Sequence, residues 1–317
     1  MLKLTSQIKF ETQVGAFYIK NINEVEVDSS WENLTDTCKI KIPKQLSWKG
    51  KSISQILRRG DKVTVELGYD DVNKEVFRGF IREVSVQIPI ELICEDAMFL
   101  LKKKNFNKSF QSVNTESIIN YVVGNTVPYQ VVANAGLGDF KIKNSSAAKV
   151  LEFLRSHYFI KSWFRTGILY VGLAYYAKLQ KKSIFDFNEN IIDHDLQFRL
   201  KEDVEIGLKG IIMNRENKKV EVPVGDEDGE QRTFHYYNRT ISEVKKSLEQ
   251  ELERLKYTGY YGSFTTFGAP QVNHGDIVIL KDKQYKEREG KYLVKKVVTT
   301  FGFSGFRQKI QLESQTA

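Results

Sequence analysis

The chain has 317 residues, 41% of them hydrophobic, with 3 Trp, 15 Tyr and 20 Phe, enough for about two domains with packed cores. Its 48 basic and 40 acidic residues leave a formal charge of +8, but the signs interleave and the basic runs are short (Lys102-Lys103-Lys104, Lys178 with Lys181-Lys182, Lys295-Lys296). Solvated faces are therefore favoured over a nucleic-acid surface, and no apolar run approaches the ~20 residues of a membrane helix. The opening Met1 to Lys9 lacks the apolar core of a signal peptide, which predicts a soluble chain made in the cytoplasm.

Residues 1 to about 43 read as strands, with Ile22, Val25 and Val27 among acidic partners and a clean Lys39-Ile40-Lys41-Ile42 alternation before Pro43. Trp31 sits in a polar connection, and Trp48 precedes the short apolar piece Ile53 to Leu57. Gly60-Asp61 is a turn that opens a strand in which Val63, Val65 and Leu67 alternate with Lys62, Thr64 and Glu66. Tyr69 to Lys74 is a hairpin tip, and Val76 to Val84 returns beside the first strand. A further strand spans Ile88 to Glu95. So many short strands in about 100 residues predict a small barrel or sandwich. Cys38 shares parity with Ile40 and Ile42, and Cys94 with Ile90 and Leu92, so both thiols are expected in the core rather than in a disulfide or metal site.

The middle changes period. Asn114 caps a helix with Ile118, Ile119, Val122 and Val123 inward, closed by Gly124. Tyr129 to Val132 reads as a strand, and a second helix runs from Ser145 or Ser146 to about His157 with Val150, Leu151, Phe153 and Leu154 inward. It feeds strands Phe159 to Phe164 and Ile168 to Val171, joined by Arg165-Thr166-Gly167. In the last third, Glu205 to Met213 and Lys218 to Val224 are strands, and Gln231 to Tyr237 is expected to pair with the latter across the acidic tip 225–230. Thr240-Ile241-Ser242-Glu243 is a capping box. The helix it starts carries one stripe (Ile241, Val244, Leu248, Leu252, Leu255), expected to lie across the second β domain, with Gly259 ending it. Strands over 260–267, 276–280, 291–300 and 306–313 complete that domain.

Gly275-Asp276 opens a strand, a charged tip follows, and Gly290 begins the return, in the order already seen after Gly60-Asp61. This is a weak internal duplication of a β unit. The fold expected is mainly β with an α/β insertion (α+β): a first β domain over 1–105, an α/β domain over 106–185, and a second β domain over 186–317 with a helix at about 241–258.

Candidate chemistry is sparse. Arg59-Gly60-Asp61 spells an integrin-adhesion tripeptide, but the turn alone explains it. Asp226-Glu227-Asp228-Gly229-Glu230 lacks the ligand spacing and distal glutamate of a calcium loop and reads as a solvated tip. Asp193-His194-Asp195 offers proton-transfer or metal-binding groups, yet neighbours along a strand diverge and no second cluster supports them. His157, His235 and His274 are scattered, and no nucleophile, zinc or phosphate-loop motif is present. Neither catalytic nor metal nor cofactor residues are expected.

Two places carry a family resemblance. Ser146-Ala147-Ala148-Lys149-Val150-Leu151-Glu152-Phe153-Leu154-Arg155, followed by Trp163 to Val171, resembles the helix, strand, Gly turn and Leu-Tyr-Val of the late control gene D-like baseplate hub family. Gly60-Asp61-Lys62-Val63 with Phe77-Arg78-Gly79-Phe80-Ile81 is similar to that family's hairpin. Arg155-Ser156-His157 departs from it, where members often carry small residues and a glycine. The resemblance implies a structural protein of a contractile phage tail, prophage or related injection machine, akin to the hub part of VgrG spikes. It implies two tube-like β-barrels per chain and a homotrimer ring between the tail tube protein and the central spike protein, assembled into the virion tail or apparatus. The chain stops at Ala317, so spike and lysin partners are expected on separate polypeptides. A binding module, such as a tail-tip adhesin or a basic nucleic-acid binder, and a tail-associated cell-wall hydrolase are the competing readings. Stacked aromatics beside a basic groove would mark the first, a convergent acid-base or metal constellation the second.

Overall fold

The computed structural model describes residues 2–85, 88–158, 160–172, 179–213, 219–237 and 240–316. Phe159, Lys178, Lys218 and Ala317, each named above, lie outside the described residues.

Period-two alternation makes the N-terminal third a run of strands: β1 (Leu4–Thr12), β2 (Gly15–Ile19), β3 (Glu24–Ser30), β4 (Thr37–Ile42), the short pair β5 (Ser47–Trp48) and β6 (Lys51–Ser52), helix α1 (Ile53–Ile56), then β7 (Lys62–Tyr69), β8 (Val72–Ser85) and β9 (Ile90–Glu95). The long strands hydrogen-bond in the order β3-β4-β9-β8-β7-β1-β2. Phe17 and Ile19 at one end of that path share a core with Val25 and Val27 at the other, so the sheet curls around its apolar face. Cys38 stands opposite Cys94 across β4 and β9, and both are free and buried, as their parity predicts.

The middle has its own core. Helix α2 (Met98–Leu101), β10 (Asn105–Asn114), α3 (Thr115–Val122), β11 (Tyr129–Val131), β12 (Gly136–Ser146), α4 (Ala147–Tyr158), β13 (Lys161–Arg165) and β14 (Ile168–Gly172) follow in turn. The Asn114 side chain accepts from Ser117 N at 2.9 Å, the expected cap. β10 and β12 form a bulged antiparallel pair that the sequence reading missed.

The last third comprises β15 (Lys182–Asp186), β16 (Ile191–His194), β17 (Gln197–Arg199), β18 (Ile206–Met213), β19 (Lys219–Gly225), β20 (Glu230–Tyr237), α5 (Ile241–Leu255), β21 (Gly259–Tyr261), β22 (Ser263–Phe267), β23 (Ile277–Lys281), β24 (Gly290–Gly302) and β25 (Gly305–Thr316). Six of these strands pair as β16-β22-β25-β24-β23-β15, against β3-β4-β9-β8-β7-β1 in the first unit. The two paths visit their strands in the same chain order. One strand differs: β1 runs antiparallel to β7, whereas β15 runs parallel to β23.

The two Gly-Asp turns match bond for bond. Gly60 N donates to Ile81 O at 2.8 Å and Gly275 N to Val294 O at 2.7 Å; Ile81 N returns to Asp61 O and Val294 N to Asp276 O, both at 2.9 Å. Each aspartate N–H donates three residues back, to Arg58 O and Asn273 O. Each carboxylate Oδ2 accepts from that same residue's N–H, at 2.8 Å from Arg58 and 2.9 Å from Asn273. Gly60 at φ +96° and Gly275 at φ +84° need the freedom that only glycine has there.

Four expectations are corrected. β20 does not pair with β19; both flank β18, and β20 runs parallel to it. β18 is the most apolar of the three, so it takes the centre and leaves the charged strands at the edges. Loop 226–229 therefore passes beneath the start of β18, where Asp226 N donates to Ile206 O and Glu230 N to Glu205 O. Helix α5 covers this three-stranded sheet rather than the larger β unit, burying Val244 and Leu248 against Leu208, Ile212 and Val222 while Ile241 is exposed. It ends at Leu255, because Lys256 turns extended to let Tyr257 pack against Tyr292, and no left-handed glycine closes it. Phe153 of α4, expected inward, is 41% exposed with its ring stacked on His157 at 4.0 Å, while Trp31 in its polar connection is 1% exposed.

Burial pushes both Cys38 and Cys94 thiols well above the ordinary range. Native protein should thus label slowly with maleimide and denatured protein rapidly, giving two free thiols without reductant. Rapid native labelling contradicts the packing.

Candidate functional site

No convergent catalytic group emerges from the residues singled out in the sequence. Asp61 of Arg59-Gly60-Asp61 is buried in its turn, its carboxylate occupied by Arg58 N at 2.8 Å, so the tripeptide is not displayed for adhesion. Asp193 and His194 belong to β16, His194 edge-on to Phe187 at 5.0 Å. Asp195 instead accepts Ser263 N at 2.6 Å and Ser263 Oγ at 2.8 Å, bonds that hold its carboxyl below the usual range. In the acidic loop, Asp226 pairs with Lys256 and is held low by that bond, while the Gln231 amide donates to the carbonyls of Asp226, Glu227 and Gly229. No group of three or more His, Cys, Asp or Glu suited to a metal occurs among the described residues.

What the fold does bring together is a junction of all its parts. Trp31, from the β3–β4 connection, donates Nε1–H to Glu313 Oε2 at 2.9 Å. The other oxygen of Glu313 takes Arg254 of α5. Lys161 of β13 lies 5.1 Å from the Trp31 ring centre, and the His274 ring lies 5.9 Å from it. Arg165 of the same strand donates to His274 O at 2.5 Å and to Asp276 Oδ1 at 3.4 Å. Burial pushes Glu313 up, but Arg254 and Lys161 outweigh it and hold the carboxyl below the ordinary glutamate range. Burial pulls Lys161 below the lysine range and His274 down to about 3. Glu313 is held by Trp31 and Arg254, Lys161 and His274 flank the same ring, and there is room for about one water beside them (10 Å³).

A second buried charge site ties the first unit to α2. Asp36 N donates to Asp96 Oδ2 at 2.9 Å, and Asp96 Oδ1 receives Met98 N at 2.8 Å. Burial raises both carboxyls, Asp36 to about 6. An apolar groove of about 180 Å³ lies where the β7–β8 hairpin meets residues 268–271, pinned by Tyr69 donating to Phe306 O at 3.1 Å. Larger, at about 490 Å³, is a basic pocket at the α2 end of the first unit, lined by Arg59, Arg82, Glu95, Phe99, Lys102 and Lys103. The sequence signal for it, Lys102-Lys103-Lys104, reads equally well as a solvated face.

In fold, the chain is similar to phage tail proteins and to a type VI secretion component. It is similar to the tail protein from Neisseria meningitidis MC58, with TM-score 0.71 and 12% identity over 98% of this chain and 96% of that one. The 43 kDa tail protein of prophage MuSo2 from Shewanella oneidensis is similar at TM-score 0.66 and 15% identity, over 96% and 97%. An E. coli component of the type VI secretion system, described as similar to the T4 bacteriophage tail proteins gp27 and gp5, aligns with TM-score 0.56 and 8% identity, over 100% and 74%. No protein-family model and no curated protein matches the sequence, so the likeness lies in the fold.

Two outcomes test this reading of the site. His274 binds fewer protons folded than unfolded between about pH 6.5 and 3, so it withdraws stability as pH falls through that window. His274→Asn should flatten the fall of Tm with pH there; an unchanged slope contradicts a neutral, buried imidazole. Peptidoglycan zymograms should show no clearing by the wild-type chain, and clearing that disappears in Asp193→Ala or His194→Ala points to an active site.

Proposed function

We propose that this chain is a structural baseplate hub protein of a contractile phage tail or related injection machine. Three copies form a ring joining a sixfold tail tube to a threefold central spike. The observation that carries this reading is the pair of six-strand paths with matching Gly-Asp turns inside one chain. Two equivalent β units per subunit make six per trimer, so one face of the ring meets a sixfold partner while the subunit symmetry meets a threefold one. In this proposal residues 1–105 and 182–317 are two versions of one tube-like barrel, the second opening at β15 rather than at the expected boundary of 186, and the residues between are a separate domain. The role is mechanical, with the tail tube and spike proteins as partners and no cofactor.

The test is cryo-electron microscopy of the particles that contain the chain. The expected density is a ring of three copies at the tube–spike boundary, with six β units around the axis. Six copies in the ring, or a position at a fibre tip, overturns the adaptor reading and favours an adhesin.

A further inference from the structure

In the basic pocket, four cations surround one carboxylate. Glu95, 5% exposed, accepts from Lys102 at 2.6 Å and Arg82 at 3.1 Å. Arg59 and Lys103 instead sit over the face of Phe99, 5.8 and 4.7 Å from its centre, and have no carboxylate partner among the described residues. Phe99 is itself held by stacking on Phe80 at 5.6 Å. The pocket thus keeps two cations aimed and uncompensated over a rigid aromatic floor, ready for carboxylates brought from outside.

The same chain presents such carboxylates. Glu227 and Asp228 are exposed and unpaired among the described residues, whereas Asp226 and Glu230 are spoken for by Lys256 and Arg232. Gln231, bonded to three carbonyls of that loop, fixes its shape before any partner arrives. No hydrogen bond or ion pair joins loop to pocket within one chain among the described residues. The pocket belongs to the first β unit and α2; the loop belongs to the α5-bearing insertion of the second. A ring of alternating units sets the first unit of each copy beside the second unit of its neighbour, and a head-to-tail contact of unlike patches is what closes a ring.

We propose that loop 226–230 of one copy docks in the basic pocket of the next, with Glu227 and Asp228 meeting Arg59 and Lys103. This rests on the hub reading and specifies its inter-subunit contact. Copies carrying +8 each repel at a distance, so local opposite charge supplies both attraction and register.

Charge reversal in the full-length chain, read as incorporation into particles, tests it. Arg59→Glu with Lys103→Glu, and separately Glu227→Lys with Asp228→Lys, should each lower incorporation at least about tenfold, and all four together should restore it. Zero-length carbodiimide coupling of wild-type particles, assembled from isotopically distinct copies, should join Lys103 to Glu227 or Asp228 of another copy; this arm needs no variant to fold. Reversal without loss overturns the proposal, as does loss from the pocket variant alone, which points to a different acidic partner. Particles with a threefold ring but no such cross-link remove this contact and leave the hub reading standing. Particles without a threefold ring remove both.

Discussion

Strand β24 is where the two β units become one body. Along one edge it pairs throughout with β25, while on the other its start (Gly290 to Leu293) pairs with β23 and its end (Lys296 to Gly302) with β3. The two register shifts in its pairing with β25 fall between Tyr292 and Lys296, at the change of partner. A bulge bends and twists a strand, which lets one strand serve two curled sheets. Its side chains divide likewise: Tyr292, Val294 and Val297 enter the second core, and Phe301 enters the first. Separating the units would unpair seven residues of β24 from β3 and expose Phe301 and Phe306, so hinge motion at this seam is costly.

The buried polar junction adds direction to that joint. Sheet pairing fixes spacing along β24 but says little about where the middle domain and α5 sit. Trp31 supplies a flat surface, and Lys161, His274 and Glu313 approach it from three different parts of the chain. Removing one member leaves others buried and unpaired, which is what makes such networks specific even when their net stabilisation is modest. In the proposed hub, this arrangement suits a subunit that transmits load at a fixed angle better than one that opens and closes.

Local grammar was legible in the sequence, and partner choice was not. The caps at Asn114 and Thr240 are readable because a capping side chain bonds within three residues. The Gly-Asp turns and the inward cysteines are readable because φ and side-chain parity are local properties. The β3–β24 seam depends on residues about 270 apart choosing one another, and alternation alone carries no address for that. The same gap sent β20 to the wrong neighbour and α5 to the wrong sheet. The burial of Trp31 was not legible, because its polar neighbours Ser30 and Asp36 bond inward within the junction region, a choice that composition does not specify. In β12, the alternation of Leu137, Phe140 and Ile142 is broken by Gly138 and Asp139, so a strand with a bulged partner escaped notice.

The two units differ most at one equivalent place, and that difference has a use. Between β3 and β4 the first unit has the short connection 31–36; between β16 and β22, the matching strands of the second, residues 195–262 carry the β18 sheet and α5. The insertion leaves and returns through the β17–β21 pair, a narrow neck whose Arg199 donates to Leu255 O at 2.8 Å. These two connections then meet, because Trp31 of the short one and Arg254 of the long one share the two oxygens of Glu313. In a trimer as proposed, strand faces repeated twice per chain suit a sixfold neighbour, while an insertion present once per chain is read with threefold symmetry. In the proposed ring, then, the change of symmetry is made within each subunit by one insertion, and Glu313 is the contact that holds the two dissimilar connections in register.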